Sequence, residues 1–389
     1  MAEWLKASVS KTDISSNRYR GFESRPLRHT TLTIRGPSRH AFERKMKTIP
    51  IALTGFGHVS RAFFTLHREK RGGIARRYGL HFDIIAIVKA DGCLFSGRPL
   101  DVAHIIKAEG PSFADNPAWR PGMRIQDVFL SAGDGGCLVE CTPSNLRTGE
   151  PGLSYIVAAL ENGWNVVTAS KGALVSAFRR LRSLAADRGL SLEFSGAAAA
   201  ALPTLDIGLT SLAGAAIEGI QGILNGTSNY ILTKMADGLS YEEALQEAQR
   251  WGIAEPDPSL DVEGWDSAAK LLLIANACLD TDYGLDDVKF SGIAGMPAEL
   301  VERARKDGKT VKLLASASPG RKGKGWTLEV SPSVLDSSHP LFHVDGTEKG
   351  ITFLTDTMGS VTVTGGRSNP RGAAAALLKD LINVYRSRF

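Results

Sequence analysis

Asp266 and Lys270 stand four residues apart at the head of an apolar segment, DSAAKLLLIANAC (266–278). On a helix that spacing places the carboxylate and the ammonium on one face. A carboxylate that orients an ammonium at the first turn of an apolar helix is a reasonable proton-transfer unit. Burial would lower the lysine pKa and the carboxylate would oppose that. The same spacing also describes a surface ion pair contributing roughly a few tenths of a kcal/mol, and spacing alone leaves both readings open. Lys171 follows an apolar run, WNVVT (164–168), in the segment ASKG (169–172). Thr142-Pro143-Ser144-Asn145 likewise follows the apolar run Cys137–Cys141. Ligands of open parallel sheets gather beyond the carboxyl ends of the strands, so Thr142, Pro143, Ser144, Ser170 and Lys171 are candidate site residues. Cys141 has no nearby His and reads as a buried thiol rather than a nucleophile.

A third group is GFGHVS (55–60), after the apolar run Ile49–Thr54. Two glycines between a strand and a helix permit a tight turn and let backbone N–H groups reach a pyrophosphate. Gly55, Phe56, Gly57, His58 and Val59 are therefore candidate cofactor contacts. Ser60 takes the place of a third glycine and is expected to loosen helix–strand packing slightly. The next strand ends in Val88-Lys89-Ala90-Asp91. An acidic residue at that end would accept a ribose 2′-hydroxyl, whereas a lysine welcomes a 2′-phosphate. Lys89 tilts the reading toward NADP, with NAD open and a solvated strand-end charge as the plain alternative.

The elements that must carry these groups alternate. Strands are expected at 49–54, 82–88, 137–141 and 164–168, with helices after 58 and over 153–160. Repeated βα units of this kind argue for an α/β chain with a Rossmann-type, doubly wound parallel sheet. The stretches 110–122 and 133–136 read as loops. After about Leu190 the character changes. SGAAAAALPTL (195–205) is a chain of small residues, which suits close approach of a ligand or tight packing equally. Ser240 and Glu243 form a capping box for a helix that Gly252 ends. A strand is expected at 360–366 and a closing helix at 372–384. RKGKG (321–325) reads as a hairpin loop.

The chain has 389 residues, 46 Lys+Arg and 41 Asp+Glu, and 43% of its residues are hydrophobic. That balance is globular and has room for two or three domains. No run of about 18 apolar residues marks a membrane span, and no apolar h-region marks a secretory signal. The four Cys lack a CxxC spacing and suit a reducing, cytoplasmic setting; the His form no HxxxH or HExxH pattern. Residues 1–45 carry 10 Lys+Arg and 4 Asp+Glu, a net of +6, whereas the remainder carries 36 and 37, a net of −1. A basic arm could serve nucleic acid. AEWLKA (2–7) and RGFESRP (20–26), however, read like the translated D-arm and T-arm of a tRNA gene. The expectation is a non-native or disordered leader over 1–45, with Met46 as the true start and no nucleic-acid or membrane partner.

GILNGTSNYIL (222–232), AEPDPSLDVEGWDSAAKL (254–271), TASKGAL (168–174) and GGRSNPRGAAAALLKDLINV (365–384) together resemble the homoserine dehydrogenases, from about Met46 to the C-terminus. The resemblance implies NAD(P)H-dependent interconversion of L-aspartate 4-semialdehyde and L-homoserine, in threonine, methionine and isoleucine biosynthesis. It implies that Lys270 protonates the forming alkoxide, that Asp266 positions it, and that Lys171 is a second active-site lysine beside Ser170, where the family usually has Asn. Glu255 would hold the substrate ammonium, and Gly226, Thr227 and Asp261 would be further substrate contacts. Ile253 replaces a frequent tyrosine. A monovalent cation such as Na+ would sit on the backbone of Ser195, Ala198, Ala200 and Leu202, with Ser195 replacing the usual glutamate. Residues 46–190, completed by 366–389, would form the dinucleotide-binding domain. Residues 191–365 would form an α+β catalytic and dimerisation domain with a mixed sheet.

The resemblance further implies that 190–209, with strands after Thr310, builds the sheet of a homodimer or tetramer, and that the last helix returns to the cofactor domain. A chain ending about 17 residues after Gly372 is expected to be a short form without the regulatory ACT domain or the aspartate kinase of longer members, with weak or absent threonine feedback. The alternatives are another amino-acid or semialdehyde dehydrogenase on the same scaffold, or a non-catalytic dinucleotide-sensing or RNA-binding protein. An aspartate-semialdehyde dehydrogenase would need a cysteine nucleophile with a helper His, which Cys141 lacks.

Overall fold

Along β1 (Lys47–Thr54), Ile49, Ile51 and Leu53 face one side and Ala52 the other. Successive side chains of a strand point to opposite faces, and here both faces are buried. The same holds in β5 (Cys137–Glu140), where Cys137 and Val139 oppose Leu138, and in β6 (Asn165–Thr168), where Val167 opposes Val166. A strand covered on both sides must be apolar throughout, which is why these segments read as short continuous runs.

The computed structural model describes residues 46–386, except 102–104, 106–112, 134, 321–323 and 367. The expected leader, 1–45, and part of the 321–325 loop lie outside the described residues. The 321–325 segment joins β10 (Thr310–Pro319) to β11 (Trp326–Leu335), which pair antiparallel from Pro319↔Trp326 onward.

The first sheet runs β4-β3-β2-β1-β5-β6-β7. β2 (Leu80–Lys89), β1, β5, β6 and β7 (Leu192–Glu193) are parallel, while β3 (Gly92–Phe95) and β4 (Trp119–Pro121) add an antiparallel edge. The chain leaves β1 for β2 on one side and later returns to β5 on the other. The carboxyl ends of β1 and β5 therefore flank a switch point, where crevices of such sheets lie. One face is covered by α1 (His58–Tyr78) and the last helix, 370–385; the other by helices 125–132, 152–161 and 172–187. The return of the last helix onto α1 and β6 matches the expectation.

The second sheet, β13-β12-β8-β10-β11-β9, is mixed: β11 pairs parallel with β9 (Val288–Phe290), and the other pairings are antiparallel. Its remaining strands are β8 (Ile217–Ile223), β12 (Lys349–Thr355) and β13 (Gly359–Gly365). Its helices include Gly226–Ala236, Tyr241–Arg250, capped by Ser240 and Glu243 as expected, and the apolar Trp265–Cys278. Among the described residues no helix is long and apolar enough to cross a membrane.

Three expectations are corrected. Residues 190–209 do not enter the second sheet. Leu192–Glu193 lies beside β6 in the first sheet, and 195–198 and 204–211 are helical turns. The reason is Asp380, fully buried on the last helix. Its carboxylate accepts from Ser195 N–H at 2.9 Å and from Ser195 Oγ at 2.8 Å, which diverts the chain from strand pairing. Trp119–Pro121, expected as loop, is an edge strand on β3; Gly92 leaves room for the Trp119 indole, where a Cβ would lie 2.7 Å from the ring. Ser60 does not loosen the first helix. It is fully buried and its hydroxyl donates to Gly55 O at 3.0 Å, tying the helix to the turn.

Candidate active site

At the mouth of the first sheet, Gly55 has φ +80°, and a Cβ there would lie 2.6 Å from Cys141 O. Only glycine meets both demands, and the ends of β1 and β5 are thereby brought together. Gly57 precedes α1 as its cap, and nothing lies within 4 Å of where its Cβ would be. The first-turn N–H groups at His58 and Val59 thus open onto the crevice with the positive end of a long helix. Phe56 leans on Phe113 at 4.9 Å between ring centroids.

The two loops beyond β5 and β6 are locked by a residue that sequence reasoning passed over. Glu140 is fully buried and accepts from Thr142 N–H at 2.8 Å, from Thr142 Oγ1, and from Thr168 Oγ1 at 2.6 Å. Burial pushes its pKa up, and the threonine hydrogen bonds oppose this. A carboxylate ending an apolar strand, CLVE, was the available signal. Ser144 continues the clamp: its Oγ lies 3.2 Å from Ser170 Oγ and accepts from Lys171 N–H at 2.9 Å. Pro143 lies within this loop. Thr142, Ser144, Ser170 and Lys171 are thereby brought together. Burial raises the pKa of the Cys141 thiol, in keeping with an inert group.

Lys171 reaches across to the helix 265–278. Its Nζ lies 3.4 Å from Asp266 Oδ1, while Lys270 Nζ lies 2.6 Å from Asp266 Oδ2. Lys270 also donates to Leu224 O at 3.0 Å. Asp266 is in the first turn of that helix, whose cap is Gly264 with φ +94°, a left-handed position that favours glycine. The side chain of Asp266 is only 12% exposed, against 23% for Lys171, so this is not a solvated surface pair. Burial pushes the Asp266 carboxyl up. Lys270 and Lys171, with hydrogen bonds from Lys270 and Asn225, outweigh that and hold it well below the usual carboxylate range.

Asn225 was also missed. It caps the helix 226–236 by accepting from Ser228 N–H at 2.8 Å, and its Nδ2 donates to Asp261 Oδ1 at 2.6 Å and Asp266 Oδ2 at 2.8 Å. An Asn before GTS is a cap signal in its own right. Asp261 is thereby drawn beside Asp266; burial, then the neighbouring Asp266 charge, raises its pKa. Thr227 Oγ1 donates to Ile253 O at 3.1 Å. Gly226 is a packing position, where a Cβ would lie 2.7 Å from Thr347 O. Glu255 is exposed, and its carbonyl accepts from Gln249 Nε2 at 3.3 Å.

Lys89 closes β2 with its ammonium over the Phe113 ring, 5.1 Å from the centroid. It lines a cavity of about 460 Å³ with Arg124, Gly122 and Tyr155 among others. Arg124 is a further cation at this strand end that the sequence reading did not single out.

A third lysine stands behind the group. Lys349 is 1% exposed and donates to Ala199 O at 2.7 Å. Burial, with the ammonium groups of Lys270 and Lys171, pushes its pKa down to about 7, against the pull of Asp266. It bears on the expected cation loop. Ser195 O already accepts from the N–H groups of Ala199 and Ala200, and Leu202 O from Thr204 N–H. A metal ion on the carbonyls of Ser195, Ala198, Ala200 and Leu202 would share a short buried loop with the Lys349 ammonium, and like charges in a low-dielectric setting repel strongly. The residues present therefore fit a metal ion poorly. Among the described residues no cluster of three His, Cys, Asp or Glu side chains could hold a metal either.

Residues 203–382 match the family model described as homoserine dehydrogenase. The chain is 35% identical over 340 residues to a homoserine dehydrogenase of Methanocaldococcus jannaschii, covering 87% of this chain and 98% of that protein. It is 32% identical over 346 residues to an NAD(+)-dependent homoserine dehydrogenase of Pseudomonas canavaninivorans, covering 88% and 97%. Among solved structures, a homoserine dehydrogenase from Thiobacillus denitrificans superposes with a TM-score of 0.75 at 28% identity, covering 87% of this chain and 73% of that one.

Proposed function

The chain belongs to the homoserine dehydrogenase family, and from that premise we propose how its residues carry out the NAD(P)-dependent interconversion of L-aspartate 4-semialdehyde and L-homoserine. The observation that carries the reading is the Asp266 carboxylate held between Lys270 at 2.6 Å and Lys171 at 3.4 Å, at the mouth formed by the ends of β5 and β6. When bound, the dinucleotide supplies or accepts the hydride. Gly55, Gly57 and the first turn of α1 hold its pyrophosphate, and Thr142, Pro143, Ser144 and Ser170 line its path toward Lys171. Lys89, with Arg124, favours a 2′-phosphate and hence NADP, with NAD as the second substrate.

In the reducing direction, negative charge grows on the aldehyde oxygen. Lys270 donates a hydrogen bond to that oxygen and then its proton, so the developing alkoxide leaves as the homoserine hydroxyl. Asp266 fixes the ammonium and balances its charge, and Lys171 adds a second positive group facing the same carboxylate. Asn225 keeps Asp266 and Asp261 in register. Glu255 takes the substrate ammonium, and Thr227, Gly226 and Asp261 complete the grip that orients the carbonyl.

In domain terms, 46–190 with 366–389 bind the dinucleotide, and 191–365 bind substrate. Val334 and Leu354 are exposed on the second sheet, and Met358 on the turn between β12 and β13, which supports a homodimer through that sheet. The test is homoserine oxidation followed by nicotinamide absorbance with NADP and NAD in turn. A rise with NADP exceeding that with NAD is expected, and no rise with either overturns the proposal.

A further inference from the structure

Lys349 is a charged side chain sealed inside the protein with no carboxylate partner among the described residues. Among the described residues its ammonium makes one hydrogen bond, to Ala199 O at 2.7 Å. A lone buried charge is costly, and one that persists beside a reactive group is a candidate for a role there.

Its acceptor sits at the closure of the 195–202 loop. Ala199 O also accepts from Leu202 N–H at 3.3 Å, so ammonium and loop meet at one oxygen. Ala200 holds φ +55°, a conformation rare outside glycine, so the turn is held rather than relaxed. From the other side Gly366 abuts it, where a Cβ would lie 2.6 Å from Leu202 N. The start of the loop is pinned by Ser195 on Asp380. The ammonium is also near enough to Lys270, Lys171 and Asp266 to interact with each charge.

We propose that the Lys349 ammonium is a built-in monovalent cation: it braces the 195–202 loop and sets a positive charge behind Lys270 and Lys171, so the protein turns over without bound Na+ or K+. Lys349 is thus a positioning residue. The proposal rests on the active site assigned above, but its binding readouts do not.

The experiment replaces choline chloride by NaCl or KCl at fixed ionic strength and mildly acidic pH. It reads initial rates of homoserine oxidation, sodium NMR line width and melting temperature. Wild-type rates are expected to change by less than about twofold, with no line broadening and no melting shift between salts. Lys349→Ala, which vacates the ammonium's space, is expected to lose about tenfold in kcat in choline. Its KM for homoserine should hardly move, and K+ or ammonium ion should restore most of the rate and raise its melting temperature. The proposal is overturned by several-fold activation of the wild type by Na+ or K+, or by sodium broadening on it. It is equally overturned by full activity of Lys349→Ala in choline, or by a loss that no cation restores. Should the protein not oxidise homoserine at all, the functional reading fails while line width and melting still decide this one. If Lys349→Ala does not fold, the wild-type measurements decide it.

Discussion

Replacing Lys349 by Met should stabilise the protein in acid. The amine is pushed from an ordinary value of 10.5 down to about 7, first by burial and then by Lys270 and Lys171. A lysine with a depressed folded pKa releases its proton earlier in the folded chain than in the unfolded one. Between the two values the unfolded chain binds more protons, so stability rises with pH. The contribution is complete above 10.5 and is lost as the pH falls through about 7. At about 1.36 kcal/mol per pH unit, the whole shift corresponds to roughly 5 kcal/mol. From about pH 6 to about pH 9 the wild type should gain on the order of 3 kcal/mol, or roughly 4 °C of melting temperature for a chain of this length.

Methionine is close in volume and carries no charge. It forfeits one hydrogen bond at Ala199 O, about 1 kcal/mol, while Leu202 N–H still reaches that oxygen. Thermal melts of both proteins in choline buffer are the assay. Lys349→Met should melt a few degrees higher than wild type near pH 6, and the gap should close by about 4 °C near pH 9. Parallel pH dependence of the two proteins, or a variant that melts lower near pH 6, refutes the reasoning.

Three other outcomes follow from the geometry. Lys89→Ala should raise KM for NADP by about tenfold, the size of one charge-assisted phosphate contact, and leave KM for NAD within about twofold; steady-state titration of each cofactor reads this. Glu140→Gln replaces one of two acceptor oxygens with a donor, at about 1–3 kcal/mol, so KM for the dinucleotide should rise more than kcat falls. Asp266→Asn leaves Lys171 and Lys270 without their shared carboxylate. It should lower kcat by about 10²-fold or more and cost about 3–5 kcal/mol of stability. That cost should hold from neutral pH down to the ordinary carboxylate range and shrink only below it, because Asp266 is held ionised there.

What the sequence made legible was local. Apolar runs ending at Thr54, Cys141 and Thr168 announced a sheet buried on both faces, and the groups just past those ends proved to be neighbours in space. The i, i+4 pair of Asp266 and Lys270 came out as expected because one helix holds both partners. What stayed hidden depends on chain distant in sequence. Asp380 draws Ser195 out of strand pairing across 185 positions, and no local pattern at 190–209 carries that information. Nothing local to Lys349 marks it, because its burial depends on the 195–202 loop laid over it. Ser60 looked like a defect in a glycine pattern because its hydroxyl partner, Gly55 O, is revealed only by the turn itself.

The central claim is that Lys270, held by Asp266, moves the proton. The most direct measurement is kcat for homoserine oxidation by Lys270→Met, with melting temperature and dinucleotide affinity measured on the same preparation. A loss of about 10³-fold or more in kcat, with dinucleotide affinity within about twofold of wild type and a folded melt, is what the account predicts. Near-native turnover by that folded variant would contradict it.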